Sequence, residues 1–273
     1  MVDYRHPHRG LHDTRPAGPV SRRAAPAGRT PEGVIDTRHP RRAAPRAVRG
    51  WALRELPDGS PLRFDPDLPI RVTVNTDQAG RWALGDVEEA LWRVGEATGF
   101  RFEPEGLTAL LPQLHETVLM DPRRPSLTIA WAKPGPVAGG SDMLPPEEDP
   151  VPGQPLSLAV GVAHSRVLET RVGDGVRIAM ARAVVVLDSS VRELYPPGFG
   201  QGACRGAVLL HELAHAVGLD HTADPDQLMH PFVTDKPARF GPGDLEGLRR
   251  VGAEAGPLSV LRVVDRRRQP QQS

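Results

Sequence analysis

Three histidines and a glutamate, all within one stretch of eleven residues, have the types and spacing of a hydrolytic metal site. His211 and His215 stand four residues apart, so on a helix both project from one face and can close on one ion. His221 lies beyond the reach of the same straight helix, and Gly218 permits the backbone to turn back toward the metal. Glu212 follows the first histidine, so we expect its carboxylate beside the metal rather than on it.

The expected chemistry of this group is metal-assisted hydrolysis. Three histidine ligands leave one tetrahedral position of zinc open, which distinguishes a catalytic site from a structural one. A water there has its pKa lowered from ~15.7 toward ~7. Glu212 can then take a proton from zinc-bound water as the water attacks a carbonyl. We expect one catalytic Zn²⁺, although affinity alone leaves copper and nickel open.

The segment resembles the metzincin signature, H-E-x-x-H-x-x-G-x-x-H, which it matches at every specified position from His211 to His221. Met229 follows where that group of proteases has its Met-turn, and the spacing is most similar to the matrixin branch. The turn reads Met229-His230-Pro231, so His230 replaces the usual aromatic residue and no tyrosine ligand is expected. The resemblance implies that Met229 packs beneath the zinc histidines without binding the ion.

A matrixin-like domain implies an α+β, zincin-like fold. Its features are a twisted, mixed five-stranded sheet with an antiparallel edge strand, an active-site helix and a C-terminal helix. The implied activity is that of a zinc metalloendopeptidase, a hydrolase that cuts an extended protein or peptide substrate. An open edge strand offers backbone groups with which such a substrate can pair. The resemblance also implies substrate-binding residues near the zinc, namely Ala207, Pro231, Phe232 and Val233.

A second metal site is not expected. His164 aligns with a histidine that binds a structural zinc in many matrixins, but the companion ligands are absent and the strand near residue 188 has no histidine. Asp174 and Asp188 are single acids in a turn and at a strand end, which more often cap or face solvent than bind calcium. Structural zinc and calcium are therefore both predicted to be absent.

The rest of the pattern predicts the elements that position this site. Alternation and β propensity predict strands at residues 70–75, 100–102, 126–132, 156–164 and 177–188. An amphipathic helix that includes Leu84 should end near Gly99, a zinc helix should run from residue 202 or 203 to 217, and a last helix should open at Pro242 with Leu245 facing inward. Residues 51–69 are interpreted as a lead-in without an element, and residues 133–155 as a loop.

Charge is distributed unevenly along a chain whose formal net charge is zero. Residues 1–50 contain 11 Arg and 4 acids, a balance of 11 − 4 = +7, with few large apolar side chains. This composition predicts a disordered Arg/Pro-rich segment at 1–60. The catalytic domain is expected at 61–265, with an upper subdomain to about 221 and a lower one at 222–265, before a disordered tail at 266–273. The basic segment lacks interleaved aromatic residues, so specific nucleic-acid binding is not expected.

Three function classes stay open at this point. The first is the endopeptidase, and the second is a non-catalytic metzincin-like scaffold in which zinc is structural. The third, a basic arm that binds nucleic acid, rests only on residues 1–50. The resemblance implies an extracellular location, yet no apolar signal segment follows Met1, so a cytoplasmic location stays open. No membrane-spanning segment is expected, and a monomer is assumed. Cys204 is the only cysteine, so no intrachain disulfide can form, and a buried apolar role is expected for it.

Overall fold

The described part of the domain begins with two strands and one helix, continues with a run of five strands, and then reaches its second helix. The computed structural model describes residues 50–114, 120–121, 123–145, 160–190, 195–232 and 236–262. The strands are β1 (Ala52–Leu53), β2 (Ile70–Asn75), β3 (Phe102–Leu107), β4 (Ser126–Pro134), β5 (Gly140–Ser141), β6 (Gly161–Val172), β7 (Gly175–Asp188), β8 (Leu219–Asp220) and β9 (Val260–Arg262). The helices are α1 (Ala83–Thr98), α2 (Arg205–Val217) and α3 (Pro242–Val251), followed by a 3₁₀ turn at Ala253–Ala255.

The main sheet has the strand order β3-β2-β4-β7-β6. Strand β2 runs parallel to β3 and β4, and β4 runs parallel to β7. Strand β6 lies at the edge and runs antiparallel to β7. The short strands β5 and β9 add to β4 and β7. The predicted α+β fold with a mixed sheet and an antiparallel edge strand is therefore confirmed. The sheet has seven strands rather than the predicted five, because the short strands β5 and β9 join it.

The hydrophobic core lies between the sheet and the helices. Along β7, Val185 and Leu187 point into the cluster that includes α1 and α2, whereas Val184 and Val186 join a smaller cluster on the opposite face of the sheet. Burying both faces explains why the middle of this strand is a continuous apolar run rather than an alternating one. Helix α2 packs on one face of this sheet, against β6 and β7.

A small second sheet ties the start of the domain to the residues just before His221. Strand β1 pairs antiparallel with β8, and the backbone N–H of Arg54 donates to the Gly218 carbonyl over 2.9 Å. The prediction that residues 51–69 contain no element, and that disorder extends to residue 60, is therefore wrong for residues 50–60. The chain there is ordered by backbone pairing with a partner more than 160 residues away, which local composition does not reveal.

Several predicted boundaries also need correction. The strand predicted at 100–102 is β3, which begins at Phe102 and extends to Leu107. The edge strand predicted at 156–164 continues well beyond His164, since β6 spans Gly161–Val172, and residues 156–159 lie outside the described part of the chain. Both are edge strands whose polar, exposed residues are held by backbone pairing, so apolar alternation does not mark their ends. Leu245 was predicted to face inward and Leu84 was counted in the apolar pattern of its helix, but they are 46% and 44% exposed. Cys204 is buried, as expected.

Some predictions lie outside the described residues. They concern most of the basic N-terminal segment, the tail at 266–273 and Val233. The division into upper and lower subdomains also stays a prediction. Within the described part of the chain, no helix is long and apolar enough to cross a membrane.

Candidate metal centre

Helix α2 carries two of the three histidines, and the residue after it redirects the chain. Buried side chains recur along α2 with helical spacing and fix the helix against the core. Gly218 ends the helix with a φ of 121°, a value that residues with a Cβ rarely adopt. A Cβ there would also lie 2.5 Å from the Leu62 carbonyl oxygen. Glycine is thus required both for the backbone angle and for the close approach that leads into β8 and His221.

We expect Gly218→Ala to destabilise the fold and weaken zinc binding. The positive φ alone costs on the order of 1–3 kcal/mol, and the clash with Leu62 displaces the segment that carries His221. Denaturant unfolding measures the loss of free energy, and metal analysis measures retained zinc. The matched control is Gly85→Ala, where an added Cβ meets open space within α1. Equal stability of the two variants would contradict this account of the turn.

The three histidine side chains converge on one point. The Nε2 atom of His221 lies 3.1 Å from Nε2 of His211 and 3.1 Å from Nε2 of His215. All three ligand atoms lie within 4.8 Å of one another. Zinc–nitrogen bonds of about 2.0–2.1 Å in tetrahedral geometry separate two ligand nitrogens by about 3.3 Å. The spacing of the imidazoles therefore fits a zinc ion.

Hydrogen bonds orient two of these rings. Nδ1 of His211 donates to the Leu228 carbonyl over 2.8 Å, and Nδ1 of His215 donates to the Leu219 carbonyl over 2.9 Å. A carbonyl oxygen can only accept, so both rings carry their proton on Nδ1 and present a lone pair on Nε2. Such partners fix the tautomer and direction of metal-binding histidines.

Burial keeps the histidines in the neutral form that binds metal. It lowers the pKa of His211 to about 4, more than the hydrogen bond to Leu228 raises it. It also lowers the pKa of His215 to about 3, with the neighbouring His211 as the next cause. For His221, burial lowers the pKa and Asp220 opposes the shift. Neutral imidazoles bind a cation without first releasing a proton.

Glu212 lies on α2 between the two helix ligands and is 6% exposed. Burial raises the pKa of its carboxyl to about 8, and the Arg54 guanidinium opposes that shift. The carboxylate is not part of the histidine cluster. A buried carboxyl that does not coordinate but stands next to metal ligands is able to exchange a proton with a reacting group.

Gly161, at the start of β6, makes room for Glu212. A Cβ at this position would lie 2.8 Å from Glu212 Cγ and 3.1 Å from its Oε1. We expect Gly161→Ala to displace the carboxylate and lower the hydrolytic activity expected of this centre by about tenfold to a hundredfold, since small misplacements of a reacting group have effects of that size. Zinc content should not change.

Turnover and metal analysis of the Gly161→Ala variant test this expectation. The matched control is Gly200→Ala, because an added Cβ at that position meets no atom within 4 Å. Wild-type turnover in Gly161→Ala would show that the close approach of β6 does not hold Glu212 in place.

Burial and hydrogen bonds hold the segment around Met229 in place. Met229 is 1% exposed and belongs to the core cluster, and its carbonyl accepts the Thr222 N–H over 3.1 Å. The fully buried Asp244 carboxylate accepts the N–H groups of Leu228 over 2.6 Å and Met229 over 3.2 Å. The Leu228 carbonyl orients the His211 ring. Asp244, at the start of α3, therefore supports the histidine cluster indirectly through Leu228.

A cleft of about 760 Å³ runs past the histidines between β6 and the segment that follows Met229. Three of the predicted substrate-binding residues, Ala207, Pro231 and Phe232, line this cleft. Phe232 is 72% exposed. The fourth, Val233, lies outside the described residues. The structure thus brings three of the four to the same surface as the histidines.

Sequence reasoning missed Arg54 and Gly161, which both line the cleft. Arg54 follows β1 in a segment predicted to lack structure, and nothing in its neighbourhood marks it as part of a site. Gly161 lies at the start of a strand whose predicted bounds were wrong, so its approach to Glu212 was not visible. Both residues reach the site through long-range pairing.

Comparison with known proteins gives the family. The matrixin family model matches residues 64–251, more than half of the chain, and the chain therefore belongs to the matrixin family. Among curated proteins, no match to the chain was found. Matrixins are zinc-dependent metalloproteases, and the histidine cluster fits zinc binding.

Proposed function

We propose that this protein is a zinc-dependent endopeptidase with Glu212 as its general base. The observation that carries the proposal is the convergence of three Nε2 atoms, on rings held neutral by burial, beside a buried carboxyl that does not join them. His211, His215 and His221 would hold one catalytic zinc ion. Three protein ligands leave a position for a reacting group, as catalytic zinc sites do.

The division of roles follows from what each group can do. When bound, zinc supplies Lewis acidity, which polarises the scissile carbonyl and favours attack by water near neutral pH. Glu212 takes the proton from the attacking water at a carboxylate oxygen and afterwards gives it to the leaving amine. The close approach of Gly161 limits the positions that this carboxylate can take. Met229 forms an apolar floor under the histidines, in the role of a Met-turn residue.

The substrate is an extended peptide. The outer edge of β6 offers backbone donors and acceptors along the cleft, and pairing with such an edge binds a peptide largely independently of its sequence. Ala207, Pro231, Phe232 and Val233 are proposed to contact side chains next to the scissile bond. The small side chain of Ala207 leaves space for an apolar residue.

The alternative is a scaffold that binds zinc without turnover. Glu212 argues against it, because zinc binding needs only the histidines and a buried carboxyl is costly to keep without a function. A basic arm that binds nucleic acid would depend on residues 1–50, nearly all of which lie outside the described part of the chain. The proposed extracellular location and the monomeric state are further expectations.

Removal and return of metal test the proposed function. The purified protein should cleave an unfolded protein substrate, lose that activity with a chelator and regain it with stoichiometric zinc. Magnesium or calcium should not restore it, because both prefer oxygen ligands to imidazole. Cleavage that persists after complete zinc removal, or zinc-loaded protein that never cleaves, would contradict the proposal.

A further inference from the structure

Arg54 enters the cleft from a firmly held backbone. Its N–H donates to the Gly218 carbonyl over 2.9 Å, and its own carbonyl accepts the Leu62 N–H over 2.7 Å. These bonds fix Arg54 directly beside the end of α2. Its half-buried side chain lines the same cleft as the histidines. The guanidinium is thus part of the cleft wall rather than a mobile surface group.

The guanidinium has weak partners for a half-buried cation. Nη1 donates to Ser165 Oγ and Nη2 to the Ala163 carbonyl, both over 3.4 Å, at the long end of the hydrogen-bond range. Glu212 and Asp220 attract it electrostatically, but among the described residues no carboxylate is in ion-pair contact with it. A guanidinium has five N–H donors, so several stay available to a ligand.

The edge strand presents its backbone toward Arg54. The Asp188 N–H donates to the Val160 carbonyl, so residue 160 faces β7. Backbone direction alternates along a strand, and Gly161, Ala163 and Ser165 therefore face the open edge. The contact between Arg54 and the Ala163 carbonyl agrees with this register. A peptide that pairs with this edge must pass beside the guanidinium.

Two cations, Arg54 and Arg166, act on this end of the cleft. Burial is the main cause that lowers the pKa of His164, and both guanidinium groups lower it further. A peptide N–H that replaces Arg54 at the Ala163 carbonyl would free the guanidinium, which binds a carboxylate through two parallel N–H donors. A lysine or arginine side chain at the same place would be repelled.

We propose that Arg54 is a specificity-determining residue that binds an acidic side chain of the substrate, at the substrate position lying beside Ala163 and Ser165. This proposal rests on the proposed peptidase function and adds a substrate class to it. The preferred substrate carries Asp or Glu on one side of the scissile bond, within the stretch that pairs with β6.

Matched peptides test the proposal. A cleavage site found by digestion of an unfolded protein is rebuilt as peptides with Glu, Gln or Lys at each flanking position in turn. We expect kcat/KM to favour Glu about tenfold at one position, since 1.4 kcal/mol corresponds to a factor of ten. Arg54→Ala should remove the preference, Arg54→Glu should reverse it toward Lys, and Arg54→Lys should keep part of it. The control Arg171→Ala, on an exposed part of the same strand, should leave it unchanged.

A binding measurement separates this proposal from the peptidase proposal. Labelled Glu and Gln peptides are titrated against the zinc-loaded Glu212→Gln variant, with and without Arg54→Ala. Tighter binding of the Glu peptide that depends on Arg54 supports the specificity proposal, whether or not the wild type cleaves peptides. Absence of cleavage by the wild type would overturn only the peptidase function. Equal binding of both peptides, or an Arg54→Ala variant that lowers kcat equally for both, would overturn the specificity role.

Discussion

Replacing Glu212 with Gln is expected to reduce peptide turnover by about a hundredfold to ten-thousandfold while the zinc content stays the same. Gln keeps the size of the side chain within its buried site but cannot take a proton from water. The three histidines do not depend on it, since their orientation comes from the backbone carbonyls of Leu228 and Leu219. Turnover of an unfolded protein and metal analysis on the same preparation provide the two measurements.

The control for this variant is Glu88→Gln on the exposed face of α1. It removes the same charge from the protein without touching the cleft, and we expect wild-type turnover. A Glu212→Gln variant that cleaves at the wild-type rate would show that another group acts as the base. Loss of zinc together with activity would mean that Glu212 contributes to metal binding instead.

The second large effect concerns His221, whose replacement by Ala should abolish stable zinc binding. His211 and His215 would then be the only histidines of the cluster, at separate points on one helix. Changes to residues that merely orient zinc ligands lower affinity by about 10–100-fold, and loss of a direct ligand should exceed that. Competition with a chromogenic chelator measures the change in affinity.

His164 provides a matched control for this experiment. It also lines the cleft and faces solvent, but it does not belong to the histidine cluster. We expect His164→Ala to retain one zinc ion per chain with unchanged affinity. A loss of zinc in His164→Ala comparable to that in His221→Ala would point to a second metal site or to a different ligand set.

The parts of the site that could be predicted from sequence are those set by local geometry. Helix periodicity alone placed His211 and His215 on one face of a helix. Gly218 predicted a turn after that helix, and the structure has this turn with a φ of 121° at Gly218. The strand Ile70–Asn75 and the helix ending at Gly99 were also predictable, because buried residues recur with the period of each element. These features need no knowledge of distant partners.

The missed parts depend on long-range pairing. Strand β1 has only two residues and is defined by its pairing with β8, so nothing in residues 50–60 predicted it. Arg54 reaches the cleft because of that pairing. Strand β6 continues to Val172 through polar, exposed residues because β7 extends alongside it. Edge elements of this kind are determined by the partner strand, and local propensity indicates them poorly.

The most direct test of the account is the zinc X-ray absorption spectrum of the zinc-loaded protein. It should show three imidazole nitrogens at about 2.0–2.1 Å and one further light-atom ligand, with one imidazole fewer in any ion retained by His221→Ala. A spectrum with four protein ligands, with sulfur from Cys204, or with fewer than three imidazoles in the wild type would contradict a catalytic centre built from His211, His215 and His221.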